Sequence, residues 1–565
     1  MKATKKIVCL TLAIVLAALA FIMPVSAAGA TPLVIVDGFN STKLYQNFGT
    51  EDEKVAFLGN ESDLETMIVE AGGAFLAGCV NYGLTDKNFE ALAGTITPVI
   101  NKYLEPLGYN TDGTPKDATI GFYRSTEAIA NYSEEQKADL TSFATETAKG
   151  YGEENTYNFA YDWRADPTVV ADELDDYIDQ IKEKTNSKKV NVVALSLGSS
   201  IVLAYLAEYG GRNINNLVFA SPAWQGTSLV GNLFTGNVEL DIYAVENFLV
   251  KSADGSATTH LTAYIISFIA SYEGLSHEYF GDINYAIQGL LPYIYRDTII
   301  PLFAGIPGLW ALCPAEDYDN AKTFLFPEGI DANLEAITDA YHNIQDKKAA
   351  KATIDDAMDE GMRFGIVCGY NRQMAPINKE YKQSDEVIDV EYMTGGATCA
   401  LYLQAYDDWG QVYNQKIKDG HNHVSWDYKI DASTAMYPEQ TWMLKNMSHT
   451  NFVLDYGTLD SVLWLLNAEE QYTVHTDKEN HPQFSLYNTY KRKVTPITLD
   501  GIMGDLDNSG AVNTLDARIA LKIAAGQIVP TEEQLFFGDI DEDGEISTVD
   551  ARCILCIAAG VPYKI

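Results

Sequence analysis

The serine at position 196 lies in a local pattern that can turn a side-chain hydroxyl into a nucleophile. The apolar run Lys189–Ala194 predicts a buried strand, and the apolar residues after the serine predict a helix. Ala194 and Gly198 are the small residues two positions before and after it. A sharp strand-to-helix turn needs small residues there because backbone approaches backbone closely. We therefore predict that Ser196 is the nucleophile of an acyl-transfer reaction.

A serine hydroxyl is a weak nucleophile, so the chain must supply a general base and an acid that orients this base. For a serine on this kind of turn, the acid and then the histidine follow along the chain. Asp385 follows the predicted strand Phe364–Gly369 after a loop and is the first choice for the acid. Asp389 is the second choice, and Asp431 is a third possibility.

His449 is the preferred general base because it comes just after Thr441–Leu444, the last strand of the predicted series. Four other histidines follow the candidate acid. Two lie in a polar, loop-like stretch and are read as substrate-side or surface residues, and two are read as residues of surface loops: His421, His423, His475 and His481.

Acyl transfer passes through an oxyanion, which needs two preorganised backbone N–H donors. One donor is the N–H of Leu197, directly after the nucleophile. The other should come from the turn after an early strand. Leu33–Val36 is such a strand, and Gly38 permits a tight turn after it. We predict that the N–H of Phe39 is the second donor.

Parallel strands with helices between them are the scaffold that such residues require. Residues 31–491 alternate short apolar runs with helical patterns, which is typical of an α/β fold. The runs are apolar and β-branched rather than alternating, as expected of buried parallel strands. The predicted strands are Leu33–Val36, Tyr157–Tyr161, Lys189–Ala194, Asn216–Ala220, Phe364–Gly369 and Thr441–Leu444.

Four further motifs carry a family resemblance. The segments Val36–Leu44, Tyr161–Arg164, Ala220–Thr227 and Ser384–Ile388 resemble the "PGF…L", "YDWR", "TPWGG" and "GDGTV" motifs of lecithin:cholesterol acyltransferase-like lipases, in the expected order. The resemblance implies an α/β-hydrolase fold, a mostly parallel sheet with large helical cap insertions. It also favours Asp385 as the triad acid. Because this family contains acyltransferases, phospholipases and esterases, the resemblance implies the mechanism and leaves the substrate open.

Two long insertions interrupt the strand pattern. Residues 228–345 are rich in Tyr, Leu, Ile and Phe, and the family resemblance implies that they form a cap over the active site. Residues 60–150 read as helices, Asn88–Leu104 among them, and we expect them to wall the same pocket. We interpret Arg164 as structural, paired with an internal carboxylate.

The C-terminus contains an internal duplication. Gly504–Gly526 and Gly538–Gly560 each combine an acidic loop with a short amphipathic helix. Oxygen ligands recur at loop positions one, three, five, seven, nine and twelve, with a glycine at six, which is a calcium-binding pattern. The predicted ligands are Asp505, Asp507, Ser509, Ala511, Asn513 and Asp516 in the first loop, and Asp539, Asp541, Asp543, Glu545, Ser547 and Asp550 in the second.

The duplicated segment resembles a type I dockerin, because position twelve is Asp in both loops and no helical pattern precedes the first loop. The resemblance implies three helices, two calcium ions and a cohesin partner on a scaffoldin. It also implies that cohesin contacts include the pair before the last ligand of each loop: Thr514, Leu515, Thr548 and Val549. The first loop has one carboxylate fewer than the second, which predicts weaker calcium binding. We place a linker at 492–503 and the dockerin at 504–565.

Composition sets the compartment and excludes some partners. The chain of 565 residues carries a formal net charge of −39, which makes nucleic acid an unfavourable partner. Residues 1–30 read as a secretory signal, with a basic start, an apolar run and the small-residue site Val25–Ala27. No later segment has the apolar length of a membrane span. These features predict a secreted, extracellular protein.

The sequence therefore predicts a secreted serine carboxylic-ester hydrolase that is attached to a cellulosome-type scaffoldin by its dockerin. Calcium is expected in the dockerin, and no cofactor is expected for catalysis. Lipids and plant cell-wall esters are both open as substrates. An acyltransferase of the same fold and a catalytically silent binding module are the alternatives.

Overall fold

The computed structural model describes residues 31–57, 70, 74, 78, 88–239, 288–375, 382–402, 404–406, 415–454, 456–496, 503–541 and 544–561. The predicted signal sequence, residues 240–287 of the predicted cap, most of residues 58–87 and the predicted calcium ligand Asp543 lie outside the described residues.

The centre of the molecule is a sheet of eight strands. The strands are β1 Leu33–Val36, β2 Thr156–Asn158, β3 Val190–Ser196, β4 Ile214–Pro222, β5 Arg363–Tyr370, β6 Thr441–Lys445, β7 Phe484–Asn488 and β8 Lys493–Pro496. Their order across the sheet is β8-β7-β6-β5-β4-β3-β1-β2, and all neighbours are parallel except β7 and β8. This mostly parallel sheet confirms the predicted α/β class.

The six predicted strands are all present, with bounds that differ by a few residues. The strands β7 and β8 were not predicted. Because β8 lies at 493–496, the prediction of a linker at 492–503 is wrong at its start, and the sheet continues to Pro496. The run Lys493–Pro496 is short and ends in proline, which is tolerated because β8 is an edge strand.

Helices cover both faces of the sheet, and further helices form the predicted cap region and the C-terminal segment. They are α1 Phe89–Leu104, α2 Glu134–Ala138, α3 Ser142–Tyr151, α4 Pro167–Thr185, α5 Gly198–Tyr209, α6 Ser228–Thr235, α7 Pro307–Trp310, α8 Tyr318–Leu325, α9 Ala332–Gln345, α10 Lys347–Asp359, α11 Val390–Met393, α12 His449–Leu454, α13 Asp460–Leu466, α14 Thr514–Ala524, α15 Glu532–Gly538 and α16 Thr548–Ala559. Short 3-10 turns, among them Pro438–Gln440, and a π-helical segment, Tyr295–Phe303, complete the helical structure.

Successive residues of β3 point to opposite faces of the sheet, as strand geometry requires. Val192 and Ala194 belong to the core under α4 and α5, whereas Val193 and Leu195 belong to the core on the other face, with α3 and α13. Both faces of β3 are therefore buried. This explains why its sequence is a continuous apolar run rather than an alternating one.

The described parts of the two insertions contain helices, as predicted, although residues 108–128 of the first are not helical. Asn88 caps α1 through a hydrogen bond from the N–H of Ala91 to its side chain, so the helix begins where the sequence indicated. The helices α6 to α9 belong to the predicted cap region. Helix α6 follows β4 directly, which brings one side of the cap next to the strand ends.

The three C-terminal helices form a small core of their own, which also contacts the large domain. Phe536 lies 5.8 Å from Trp426 between ring centroids, and Leu486 of β7 belongs to the same apolar cluster. Thr489 donates a hydrogen bond to the carbonyl of Gly544 at 2.8 Å. Throughout the parts of the chain that the structure describes, no helix is both long and apolar enough to span a membrane.

Candidate active site

Ser196 lies at the carboxyl end of β3, where the chain turns sharply into α5. Its φ of 52° is in the left-handed region, which indicates a strained turn. A Cβ at Gly198 would lie 2.1 Å from the carbonyl oxygen of Val36, so only glycine fits there. A Cβ at Gly38 would lie 2.8 Å from the Cβ of Ser196. The backbone contacts that the sequence pattern implied are therefore present. Ala194, the small residue on the strand side of the turn, is fully buried.

Asp385 and His449 come together at the ends of two neighbouring strands. Because Tyr370 pairs with Lys445 in the β5–β6 register, the loops after these strands lie side by side. Nδ1 of His449 lies 2.7 Å from Oδ2 of Asp385. The backbone N–H of His449 also donates to the carbonyl oxygen of Asp385, at 2.7 Å. These two contacts fix both the position and the rotation of the imidazole ring.

The carboxylate of Asp385 is held from its other side as well. Its Oδ1 accepts hydrogen bonds from the backbone N–H groups of Val387, at 3.0 Å, and Ile388, at 2.7 Å. The side chain is fully buried. With Oδ1 occupied by backbone donors, Oδ2 faces His449 and favours the tautomer with its proton on Nδ1. This leaves Nε2 of His449 as the available proton acceptor.

Ser196 and His449 line one cavity of about 550 Å³, which lies within the size range of small-molecule sites. Among the described residues, no hydrogen bond joins the Ser196 hydroxyl to the His449 ring. Contacts of this kind are often long before substrate binds. The rest of the lining is mainly aliphatic, and several of these side chains come from the cap: Leu229, Val230, Leu233, Leu309 and Leu312.

The two predicted oxyanion donors adjoin the serine. Leu197 is the residue before the first turn of α5, and Phe39 follows Gly38, whose backbone abuts Ser196. Val36 pairs with Ala194, so the turns after β1 and β3 are neighbours. Within the described part of the chain, neither the N–H of Leu197 nor that of Phe39 has a hydrogen-bond acceptor. Both donors are thus available at this end of the sheet.

Two buried carboxylates near His449 were not predicted from the sequence. Asp37 accepts hydrogen bonds from the N–H of Gly38 and from the hydroxyl of Thr141, and burial raises the pKa of its carboxyl group. Glu386 forms an ion pair with Arg372, 2.7 Å between Nη2 of Arg372 and Oε1 of Glu386. Asp37 directly precedes the predicted oxyanion turn and Glu386 directly follows the predicted acid. In the sequence, the only indication that these two carboxylates belong to the site is that each is adjacent to a predicted site residue.

The pKa of His449 reflects these charges. Burial lowers it, but the negative charge of Asp385 and its hydrogen bond raise it, and Glu386 and Asp37 add to the increase. The net result is a pKa above the usual value of histidine. An imidazolium formed during proton transfer would therefore be stabilised at this position.

The alternative acids lie elsewhere and have structural contacts. Asp389 accepts hydrogen bonds from the N–H of Ser228, at 2.8 Å, and from its hydroxyl, at 2.7 Å, and so ties α11 to the start of α6. Asp431 caps a 3-10 turn by accepting from the N–H and hydroxyl of Ser433. Arg164 makes a two-pronged contact with Asp162, which confirms the prediction of a structural ion pair.

The other candidate histidines lie at the opposite edge of the sheet. His421 and His423 both contact Gln483, which precedes β7, and His475 contacts Asp419. His481 stacks on Trp464. This edge holds the amino ends of β6 and β7, whereas Ser196 lies at a carboxyl end. The structure therefore separates these four histidines from the cavity.

The two acidic loops bring three of the predicted calcium ligands together in each copy. In the first loop, carboxylate oxygens of Asp505, Asp507 and Asp516 lie within 4.8 Å of one another. The same holds for Asp539, Asp541 and Asp550 in the second loop. The turn glycines have positive φ, 83° at Gly510 and 92° at Gly544.

Clustered carboxylates with hydroxyl and carbonyl oxygens nearby are the donor set of a hard cation, so these residues fit calcium. In the first loop the Ser509 hydroxyl and the Asn513 amide group both lie against the carbonyl oxygen of Ala511. In the second loop Glu545 is exposed, and Ser547 caps α16.

The predicted cohesin-contact pairs stand at the starts of two dockerin helices. Thr514 is the first residue of α14 and Thr548 the first of α16. Thr514, Leu515 and Thr548 are exposed, whereas Val549 is half-buried and packs against the dockerin core. The two pairs thus differ in how much apolar surface they present.

Comparison with known proteins identifies two domains. The family model described as "alpha/beta hydrolase fold" matches residues 121–241, and the one described as "Dockerin type I domain" matches residues 503–554. No curated protein matches the chain. One similar solved structure is titled "The crystal structure of Tle4-Tli4 complex", at 11% identity and a TM-score of 0.27, covering 60% of this chain and 74% of that chain. The family matches and the mostly parallel sheet together show that the chain contains an α/β-hydrolase domain and a C-terminal type I dockerin domain.

Proposed function

We propose that the chain is a secreted serine carboxylic-ester hydrolase with a Ser196–His449–Asp385 triad, in an α/β-hydrolase domain of the lecithin:cholesterol acyltransferase-like type. The observation that carries this proposal is the 2.7 Å contact between His449 Nδ1 and the buried carboxylate of Asp385, beside a cavity that Ser196 also lines. The hydrolase domain begins at about residue 31 and includes β8. The dockerin follows it.

The acylation step uses the residues as follows. The hydroxyl of Ser196 attacks the ester carbonyl while Nε2 of His449 removes its proton. Asp385 keeps the ring in the required tautomer and stabilises the imidazolium. The N–H groups of Phe39 and Leu197 donate to the oxyanion, and loss of one such donor typically costs about 10²–10³ in kcat. His449 then returns the proton to the departing alcohol, which leaves an acyl-enzyme. Water, activated by the same histidine, releases the acid.

The aliphatic lining of the cavity favours an apolar acyl group as the part of the substrate that enters the cavity. Leu229, Leu233 and Leu309 present aliphatic side chains, and the polar groups are concentrated near Ser196. An acyl chain buried against this wall gains roughly 0.8 kcal/mol for each CH₂ removed from water. We therefore expect turnover of butyrate and longer esters to exceed that of acetate. Lipids and apolar cell-wall esters both meet this requirement.

Hydrolysis of p-nitrophenyl acetate, butyrate and octanoate by the mature protein tests the proposal. Ser196→Ala should lower kcat by about 10⁶-fold, as loss of a nucleophile does in serine hydrolases. Ser199→Ala is the matched control, because the Ser199 hydroxyl donates to the carbonyl oxygen of Ser196 within the same turn and takes no part in the chemistry. Equal turnover by wild type and Ser196→Ala would refute the triad and favour a binding module.

An acyltransferase would use the same acyl-enzyme with an alcohol as the acceptor. Product analysis with an added alcohol distinguishes the two activities. A hydrolase releases mainly the free acid, whereas an acyltransferase releases mainly the new ester when the alcohol is present at low concentration.

We further propose that the dockerin attaches the enzyme to a cohesin of a cellulosome-type scaffoldin, outside the cell. Two calcium ions would be held by the acidic loops, and their contribution is to fix the loops from which α14 and α16 begin. The contact residues are Thr514, Leu515, Thr548 and Val549.

A calorimetric calcium titration of the chelator-treated protein tests the dockerin part. We expect two sites of unequal affinity, with the first loop weaker because Ser509 stands where the second loop has a further carboxylate. Asp507 is also exposed, whereas Asp541 is buried. Asp516→Ala should remove the weaker site and Asp550→Ala the tighter one. Equal sites, or loss of the tighter site in Asp516→Ala, would contradict this.

A further inference from the structure

Five side chains with potential metal-ligating atoms lie near one another at the amino ends of β6 and β7, and none of them lines the cavity or belongs to the dockerin helices. They come from three separate segments of the chain: Asp419, His421, His423, Glu439 and His475. Ligand atoms of Asp419, Glu439 and His475 lie within 4.8 Å of one another. Nε2 of His475 is 2.8 Å, and Nε2 of His423 is 3.1 Å, from the same Oδ2 of Asp419.

The tautomer of His423 is fixed by Gln483. The side-chain amide nitrogen of Gln483 donates to the carbonyl oxygens of Pro438 and Thr441, so its Oε1 must face the histidines. Nδ1 of His423 lies 2.9 Å from this oxygen and therefore carries a proton. In the neutral ring, Nε2 then directs a lone pair at Oδ2 of Asp419. Two acceptors facing each other in this way repel unless a proton or a metal cation lies between them.

This arrangement is the one that metal-ligating histidines adopt. A metal-bound imidazole typically donates its second N–H to a carbonyl or carboxylate oxygen, as His423 does to Gln483. The carboxylate of Asp419 is also held, because its Oδ1 accepts the backbone N–H of His421 at 2.8 Å. The side chain of His423 is fully buried, which keeps its orientation fixed.

We propose that this cluster binds one divalent transition-metal ion, and that zinc is its preferred occupant. The core ligands are Asp419, Glu439 and His475, and Nε2 of His423, which lies 3.1 Å from Oδ2 of Asp419, would be the fourth. Two imidazoles and two carboxylates suit four-coordinate zinc and neutralise its charge, whereas calcium prefers sites made entirely of oxygen. Four protein ligands fill the coordination sphere of zinc and leave no open position for a substrate or a reactive water, so we assign the site a structural role.

The ion would join three separate segments of the chain. Asp419 and His423 lie in the long connection between β5 and β6. Glu439 lies in the turn just before β6, and His475 lies in the loop before β7. The N–H of Val474 already donates to the carbonyl oxygen of Glu439, at 2.8 Å, which brings the last two segments together. A metal that closes such loops stabilises the folded state, because the unfolded chain lacks the assembled site.

Zinc binding to the full-length protein tests the proposal. The protein is stripped with chelator and then saturated with millimolar calcium, so that the dockerin loops are filled before zinc chloride is added. Calorimetry should show one zinc ion per chain, and the melting temperature should rise with zinc and not with further calcium. His475→Ala and Glu439→Gln should each weaken zinc binding by more than about 10-fold. Loss of a residue that only supports a metal ligand already weakens metal binding by about 10- to 100-fold.

His481→Ala is the control, because His481 lies in the same loop but contacts Trp464 instead of the cluster. It should bind zinc as the wild type does. Far-ultraviolet circular dichroism establishes that each variant is folded. Absence of zinc binding to the calcium-saturated wild type would overturn the proposal, as would equal zinc affinity in His475→Ala and His481→Ala.

Discussion

Two groups of aspartate and histidine stand at opposite edges of the same sheet. At the carboxyl edge, Asp385 contacts one imidazole, through Nδ1 of His449. At the amino edge, Asp419 contacts two imidazoles, through Nε2 of His423 and of His475. Both groups consist of aspartate and histidine, but the carboxylate contacts Nδ1 of the ring in the first group and Nε2 in the second.

The second nitrogen of each ring accounts for the different roles that we propose for the two groups. His449 uses Nδ1 for the carboxylate, which leaves Nε2 on the side of the cavity that Ser196 lines. His423 uses Nδ1 for Gln483 and directs Nε2 at Asp419. The first arrangement suits proton transfer to and from a substrate, and the second suits a bound cation. The environment of the second nitrogen, more than the presence of an Asp–His pair, therefore distinguishes a catalytic group from a metal site.

The largest expected effect comes from exchanging the acid for its amide at each edge. Asp385→Asn should lower kcat for p-nitrophenyl butyrate by about 10⁴-fold, because an amide at this position favours the wrong imidazole tautomer. Asp419→Asn should leave kcat near the wild-type value and abolish zinc binding. Steady-state kinetics and zinc calorimetry on both variants measure this. A loss of activity in Asp419→Asn comparable to that in Asp385→Asn would remove the distinction between the two edges.

A smaller effect is expected from adding one methyl group at each edge. A Cβ at Gly369 would lie 2.1 Å from the carbonyl oxygen of Met447, so Gly369→Ala should displace the loop that carries His449. A displacement of about 1 Å can cost 10²-fold in rate, and we expect a loss of that order in kcat/KM. Gly420 lies beside Asp419 with open space around its Cβ position and a φ of 88°.

Gly420→Ala should therefore lower the free energy of unfolding by about 1–2 kcal/mol through backbone strain alone, with kcat/KM unchanged. Urea unfolding and steady-state kinetics separate the two effects. Unchanged turnover in Gly369→Ala would show that the position of the His449 loop is not critical.

The local parts of the site could be predicted from the sequence, because the strand-turn-helix around Ser196 involves neighbours in the chain. The positions of Asp385 and His449 were predicted from chain order and family resemblance, and the structure brings the two side chains together. Their catalytic roles remain proposals. The cluster around Asp419 could not be predicted, since Glu439 and His475 reach it only through the packing of β6 against β7. His423 and His475 were accordingly read as separate substrate-side or surface residues.

The two last strands were also missed, for different reasons. Phe484–Asn488 contains two polar residues, Ser485 and Asn488, that are buried inside the protein with the rest of the strand, so its sequence lacks the continuous apolar run of the other core strands. Lys493–Pro496 is too short and polar to predict alone and becomes a strand by pairing with β7. The contact of the dockerin with Trp426 and β7 depends on tertiary packing, so the sequence pattern did not reveal it.

The smallest effect concerns pH dependence. The pKa of His449 is raised, and the ring acts as a base only when neutral, so kcat/KM should fall as the pH decreases through a value above the usual 6.5 or so. Glu386→Gln removes one of the charges that raise this pKa and should move the acid limb to lower pH. Glu439→Gln, at the other edge, should leave the limb in place. A shift to higher pH in Glu386→Gln would show that the sign of this coupling is wrong.

Covalent labelling tests directly whether Ser196 is an activated nucleophile. The full-length protein is treated with an alkyl fluorophosphonate, which reacts with activated serine hydroxyls, and the adduct is located by peptide mass spectrometry. We expect one adduct, on Ser196, formed at a much lower rate in His449→Ala and Asp385→Asn and at the wild-type rate in Asp419→Asn. Absence of an adduct on Ser196, or equal rates in Asp385→Asn and Asp419→Asn, would contradict this expectation.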